Sequence, residues 1–77
     1  MAKIKVDIGI GQRAYEEVLR IFPKLNGARE RLGMSSKQLI YDWMEGGCPG
    51  AGYLRKLHYC GADVIYILTG VRKNELS

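Results

Sequence analysis

One stretch, 26–46, reading NGARERLGMSSKQLIYDWMEG, constrains what this chain can fold into more than any other. It reads as two short helices around a tight turn at Leu32-Gly33-Met34. A glycine between two apolar residues suits a helix end, where the backbone must pass through positive φ. Ser35-Ser36-Lys37-Gln38 then reads as a capping box, with Ser35 as N-cap and a glutamine three residues on. Leu39, Ile40, Trp43 and Met44 follow at i, i+3, i+4 spacing and give the second helix one apolar face. Lys37, Gln38, Tyr41, Asp42 and Glu45 fall on the other. A capped helix held on a preceding helix, with polar side chains outward near its start, is the arrangement that reads a DNA major groove.

The rest of the chain sets bounds on that reading. At 77 residues one domain is expected. So small a core is marginal, and a partner subunit would strengthen it. The formal net charge is +4, which fits an acidic partner. Its distribution is uneven: residues 1–38 hold eight basic and four acidic side chains, residues 39–77 four of each. Arg20, Lys24, Arg29, Arg31 and Lys37 surround the entrance to the central stretch, with Glu30 as the one acid among them. Two cysteines, Cys48 and Cys60, read as thiols and not as a disulfide framework. With His58 they supply three ligands at no familiar zinc spacing, and no metal is expected. No apolar run approaches the ~18 residues of a membrane span, and no targeting segment is visible.

Lys3 to Ile10 alternates strictly, with Ile4, Val6, Ile8 and Ile10 on one side, as a half-buried strand does. No other segment clearly offers it a pairing strand. It reads as an arm, or as a strand paired with another subunit. Gln12–Phe22 reads as the first helix, with Ala14, Tyr15, Val18, Leu19 and Phe22 inward. Glu16 and Glu17 lie early and Arg20 late, as the helix dipole prefers. Pro23 sets the boundary, and Asn26 is placed to cap the next helix, which runs to Leu32. The glycine-rich segment 46–52 reads as a loop. Tyr53–Cys60 reads as a fourth helix with Leu54 and Leu57 inward and Gly61 as its stop. Asp63 is placed to cap a fifth element, Val64–Leu68, which propensity favours as strand and which as a helix would be apolar all round.

Three pieces together resemble the DNA-binding domain of temperate-phage CI-type repressors, within the lambda-repressor-like helix-turn-helix class. They are ARERLGMSSKQLIYDW, the spacing from Trp43 through the glycine-proline loop to a leucine-rich helix, and the closing CGADVIYILTG. The likeness covers residues 12–72. It implies an all-α, five-helix domain and makes Val64–Leu68 a helix. The expected organisation is an N-terminal arm or short β-strand over 1–11, a helix-turn-helix domain over 12–72 and a tail over 73–77. Two positions depart from the family pattern. Arg29 stands where a small residue is usual, and Trp43 lies one residue further from the glycine. Either Leu39 or Ile40 is then the central core residue of the second helix.

The expected function is sequence-specific binding of double-stranded DNA by a phage-type transcriptional regulator, a repressor that occludes a promoter. Ser36, Lys37, Gln38 and Tyr41 are the expected base readers, Gln38 pairing with adenine and Lys37 reaching guanine or a phosphate. Lys24, Asn26, Arg29 and Arg31 are the expected phosphate contacts that set register. A palindromic operator and a homodimer are expected, the latter through Val64–Leu68 with the N-terminal strand as a second contact. The resemblance places the chain in the bacterial cytoplasm or a phage-infected cell. No cofactor, membrane or small-molecule substrate is expected. The alternative is a protein-interaction module that binds another regulator and not DNA. Catalysis is not expected, because one histidine and no paired carboxylates leave no acid–base machinery.

Overall fold

The computed structural model describes residues 9–72, which hold five helices and no strand: α1 (Gly9–Ile21), α2 (Leu25–Leu32), α3 (Gln38–Met44), α4 (Ala51–Tyr59) and α5 (Val64–Thr69). The domain is therefore all-α. Helix α1 is the axis of the assembly. It lies against α3 and α5 and touches α2, while α4 bridges α2 and α5.

Helix α1 begins three residues earlier than the alternation suggested. Gly9, Ile10 and Gly11 are helical, not part of an arm or strand. The remainder of that proposed strand, 1–8, lies outside the described residues. The cause is tertiary. Ile10 packs on the core, and Gly11 lies so close to the α3–α4 loop that a Cβ would stand 1.7 Å from the Gly47 carbonyl oxygen. Packing of this kind overrides a local alternating pattern. The buried stripe of α1 is Gly11, Ala14, Glu17 and Val18. Leu19, expected inward, is 52% exposed.

Glu17 is the buried charged side chain of the core, and it is fully paired. Arg20 Nε and Nη2 donate to its two oxygens at 3.0 and 2.8 Å. The Asp63 amide donates at 2.7 Å and Arg72 Nη1 at 2.9 Å. Burial alone would raise the Glu17 pKa, but the hydrogen bonds from Arg20, the Asp63 amide and Arg72 outweigh it and hold it at about 2. Asp63 in turn caps α5, accepting from the Tyr66 amide at 3.0 Å, as its position before the apolar run suggested. Arg72 also stacks on Tyr66 at 3.8 Å. One carboxylate thus joins α1, the start of α5 and the chain beyond α5.

The apolar core is Ala14, Val18, Ala28, Leu32, Met34, Ile40, Trp43, Leu57, Ala62 and Ile67. Between Leu39 and Ile40, it is Ile40 that is fully buried. Met44, expected inward, is 42% exposed. Trp43 meets Tyr53 of α4 edge to face at 5.8 Å, a favoured aromatic geometry. Its indole N–H finds no acceptor among the described residues.

Two outcomes check this core. Trp43→Ala should destabilise by about 3–5 kcal/mol, enough to unfold most of so small a domain. Red-shifted, fully quenchable native tryptophan emission would contradict the burial. Glu17 has a folded pKa below its ordinary 4.5, so its contribution is complete above about pH 5 and lost as pH falls toward 2. The loss should reach about 3 kcal/mol by urea denaturation across that window. Glu17→Gln should start lower and titrate less there. Wild-type stability that stays level from pH 5 to 2.5 would show that the buried carboxylate does not hold the fold together.

Candidate nucleic-acid interface

Helix α2 ends as the sequence suggests. Gly33 has φ 72° and ψ 28°. The Met34 amide donates to the Arg29 carbonyl at 2.9 Å, and the Gly33 amide to the Glu30 carbonyl at 3.2 Å. This pair of bonds is a Schellman closure, which needs a residue in left-handed geometry after the last helical one. Met34 is then driven into the core, and residues 35–37 turn over it to start α3.

That start corrects the capping box. Helix α3 begins at Gln38, with Lys37 in the cap position. Ser36, not Ser35, supplies the hydroxyl: its Oγ accepts from the Gln38 amide at 3.3 Å. The Gln38 side chain does not reach back to Ser35. It runs forward, and Nε2 donates to Asp42 Oδ1 at 3.0 Å. Because Met34 is the anchored residue, both serines stay exposed and the helix starts later than a box centred on Ser35 would allow. The start of α2 is likewise not at Asn26. The helix begins at Leu25, with Lys24 before it and Asn26 in the first turn.

The expected base readers fall on one side. Ser36, Gln38 and Tyr41 are exposed and Lys37 is half-buried. Positions 37, 38 and 41 sit at the i, i+3, i+4 offsets that share a helix face, opposite the buried Ile40 and Trp43. The expected phosphate contacts do not form one cluster. Lys24 and Asn26 stand exposed at the start of α2 and Arg31 exposed at its end, about 10 Å apart along a helix of this length. Arg29 is half-buried. It donates to the Met34 carbonyl at 3.1 Å and lies 3.6 Å from Glu30, so it braces the turn.

Several basic side chains are spent on helix C-termini, where lone carbonyls and the dipole attract cations. Lys56 Nζ donates to the Leu32 carbonyl at 3.0 Å. Arg20 Nη2 donates to the Gly61 carbonyl beyond α4 at 3.0 Å. Arg13 Nε reaches the Tyr66 and Ile67 carbonyls of α5 at 3.0 Å each. Among the described residues, the side chains of Lys24, Arg31 and Lys37 make no hydrogen bond or ion pair. These three cations can therefore meet an anion without breaking the fold. Sequence reasoning missed Asp42 as the partner of Gln38, although the i, i+4 spacing that brings them together is legible. It also missed Lys56, because a contact from α4 to the α2 terminus has no local signature. No three His, Cys, Asp or Glu side chains cluster as metal ligands among the described residues, and no helix there is long and apolar enough to cross a membrane.

Two glycines of this segment should respond oppositely to alanine. Gly33→Ala forces a Cβ into left-handed backbone and should cost about 1–2 kcal/mol. Gly27 sits inside α2, where a Cβ would meet nothing within 4 Å, so Gly27→Ala should stabilise by about 0.5–1 kcal/mol. Thermal melts of the two variants decide it; equal effects would mean that the turn does not depend on Gly33. No family model, curated protein or solved structure matches the chain.

Proposed function

We propose that this chain binds double-stranded DNA sequence-specifically, through a helix-turn-helix of the lambda-repressor-like class formed by α2 and α3. In this reading it is a phage-type transcriptional regulator acting in the cytoplasm, and it represses by occluding a promoter. One observation carries the reading. Helix α3 keeps Ile40 and Trp43 in the core while Lys37, Gln38 and Tyr41 share its outward side, and Lys24 and Arg31 at the two ends of the preceding helix α2 are uncommitted cations. That combination supplies base-edge readers on α3 and phosphate contacts on α2. Ser36 contributes a hydroxyl already bonded to the Gln38 amide. Asn26 reaches the backbone from the first turn of α2, and Arg29 acts by bracing the turn.

Two copies read a palindrome with half-sites about one helical turn apart. Their contact is assigned to the apolar groove between α4 and α5, lined in part by Leu54, Ala62, Val64, Ile65 and Leu68. Ile65 and Leu68 are 39% and 44% exposed, whereas Ile67 is fully buried. The hydrophobic excess of α5 therefore lies on Ile65 and Leu68.

Binding-site selection from a random duplex pool should enrich a palindrome. Two or three phosphate cations per copy should give a slope of log K against log salt of about −4 to −5 for a dimer. Gln38→Ala should cost about 1–3 kcal/mol and relax one base position per half-site, while Arg31→Ala weakens all sequences alike. Absent DNA binding would turn the reading to a module that binds another regulator. For assembly, sedimentation at micromolar concentration should show a dimer that Ile65→Asp or Leu68→Asp dissociates. If neither change alters the mass in solution or the stoichiometry on DNA, the contact lies elsewhere.

A further inference from the structure

We infer that Asp42 is a positioning residue that fixes the polarity of the Gln38 amide and so sets a preference for adenine over guanine; the inference rests on the DNA-binding reading above. A glutamine amide can point either way about its last torsion, and its two ends carry opposite hydrogen-bonding character. In isolation it offers a base a donor and an acceptor in either order. Here the order is fixed. Nε2 donates to Asp42 Oδ1 at 3.0 Å. A carboxylate oxygen only accepts, so the flipped amide would set Oε1 against Oδ1 with no hydrogen between them. The main chain at the same residue is also held, since the Gln38 amide N–H is bonded to Ser36 Oγ.

What remains on the Gln38 side chain is Oε1 as acceptor and the second N–H of Nε2 as donor, in a known order along α3. Adenine offers the complement in the major groove, an N7 acceptor beside an N6 amine donor. Guanine offers two acceptors, N7 and O6, and its O6 would face Oε1 with no proton to share. Fixing the amide removes the choice that lets an unheld glutamine compromise with the wrong base. The Asp42 carboxylate has a second effect. It stands exposed on the reading side and repels phosphates, which lowers affinity for all duplexes alike.

The competing account of the pair is local. A Gln–Asp couple at i, i+4 stabilises a helix wherever it occurs. The two accounts differ in base preference, which helix stability does not move. Site selection and titration are done with wild type, Gln38→Ala, Asp42→Ala, Asp42→Asn and the Gln38→Ala/Asp42→Ala double variant, with circular dichroism confirming equal helix content. The Asp42 side chain is exposed and can be changed without entering the core. Asp42→Ala should bind non-operator duplex a few-fold more tightly, and its adenine-over-guanine preference should fall at least about fivefold at the one position Gln38→Ala also relaxes. Asp42→Asn should fall part of the way, because an asparagine accepts or donates and no longer dictates the order. The double variant should show no relaxation beyond Gln38→Ala, the signature of two groups acting as one unit. If Asp42→Ala tightens binding to every sequence equally and leaves the preference matrix unchanged, Asp42 does not position Gln38 and the inference falls while the DNA-binding reading stands. If wild type enriches no sequence, both fall together.

Discussion

The carboxylate of Glu17 is the constraint on which the rest of this structure leans. It is sealed in the core, where an unpaired charge would be intolerable. It survives there because four donors converge on two oxygens: the Arg20 fork, the Asp63 amide and Arg72. Bidentate, charge-assisted bonds of this kind are the strong ones. Each donor comes from a place the apolar core alone would leave loose. Arg20 is near the end of α1, Asp63 is the cap of a six-residue helix, and Arg72 follows that helix. Isolated helices so short have little stability of their own. The buried carboxylate and the Asp63 cap together hold α5 against α1, and Ile67 seals the contact.

The same logic sorts the cations. Arg13, Arg20 and Lys56 close the C-termini of α5, α4 and α2 from a distance in sequence, and Arg29 closes the turn after α2. A net positive charge therefore overstates what a basic domain offers an anionic partner. The side chains that matter for a partner are those the fold does not use. Lys24, Arg31 and Lys37 of the α2–α3 segment are such residues, and so is Arg55 of α4, which only lies over the Tyr59 ring of its own helix. The surplus of positive charge before residue 39 is thus partly structural and partly exposed, in a proportion that only tertiary contacts reveal.

How much of this was legible in the sequence follows from the range of each interaction. Local signals held: Gly33 ends α2, Pro23 bounds α1, Asp63 caps α5, and the Trp43 ring is core. The ambiguity at Val64–Leu68 resolved to helix, because Asp63 and the Arg13 cap satisfy its ends. Non-local signals failed. Gly11 reads as part of an arm until the Gly47 carbonyl is seen beside it. Leu19 reads as core because it is apolar, while the charged Glu17 is placed by the helix dipole and left out of the inward set. Yet Ala14, Glu17, Val18 and Ile21 repeat at helical spacing, so the true stripe was present and composition disguised it. On α3, serines before a glutamine suggested a box at Ser35. The later start follows from burial of Met34, which fixes where the turn is anchored. The outward set Ser36, Lys37, Gln38 and Tyr41 was recoverable because each is defined by what Ile40 and Trp43 leave off the core, although Lys37 is half-buried.

Helix α3 has only seven residues, about 10 Å of rise, and that length restricts how it can specify a partner. Two turns present few outward positions, so specificity cannot come from a long row of weak contacts. It must come from side chains whose geometry is settled before binding, since ordering a flexible side chain at an interface costs about 0.5–1.5 kcal/mol. The local structure goes some way toward this. The Gln38 main chain is tied to Ser36 and its side chain to Asp42, while Ile40 and Trp43 lock the opposite face. Gly11, pressed against the loop that follows α3, couples the placement of that face to α1 and through it to Glu17. Under the proposed reading, a short reader of this kind gains sequence information in two ways: by holding each side chain in one orientation, and by presenting the element twice across a two-fold axis.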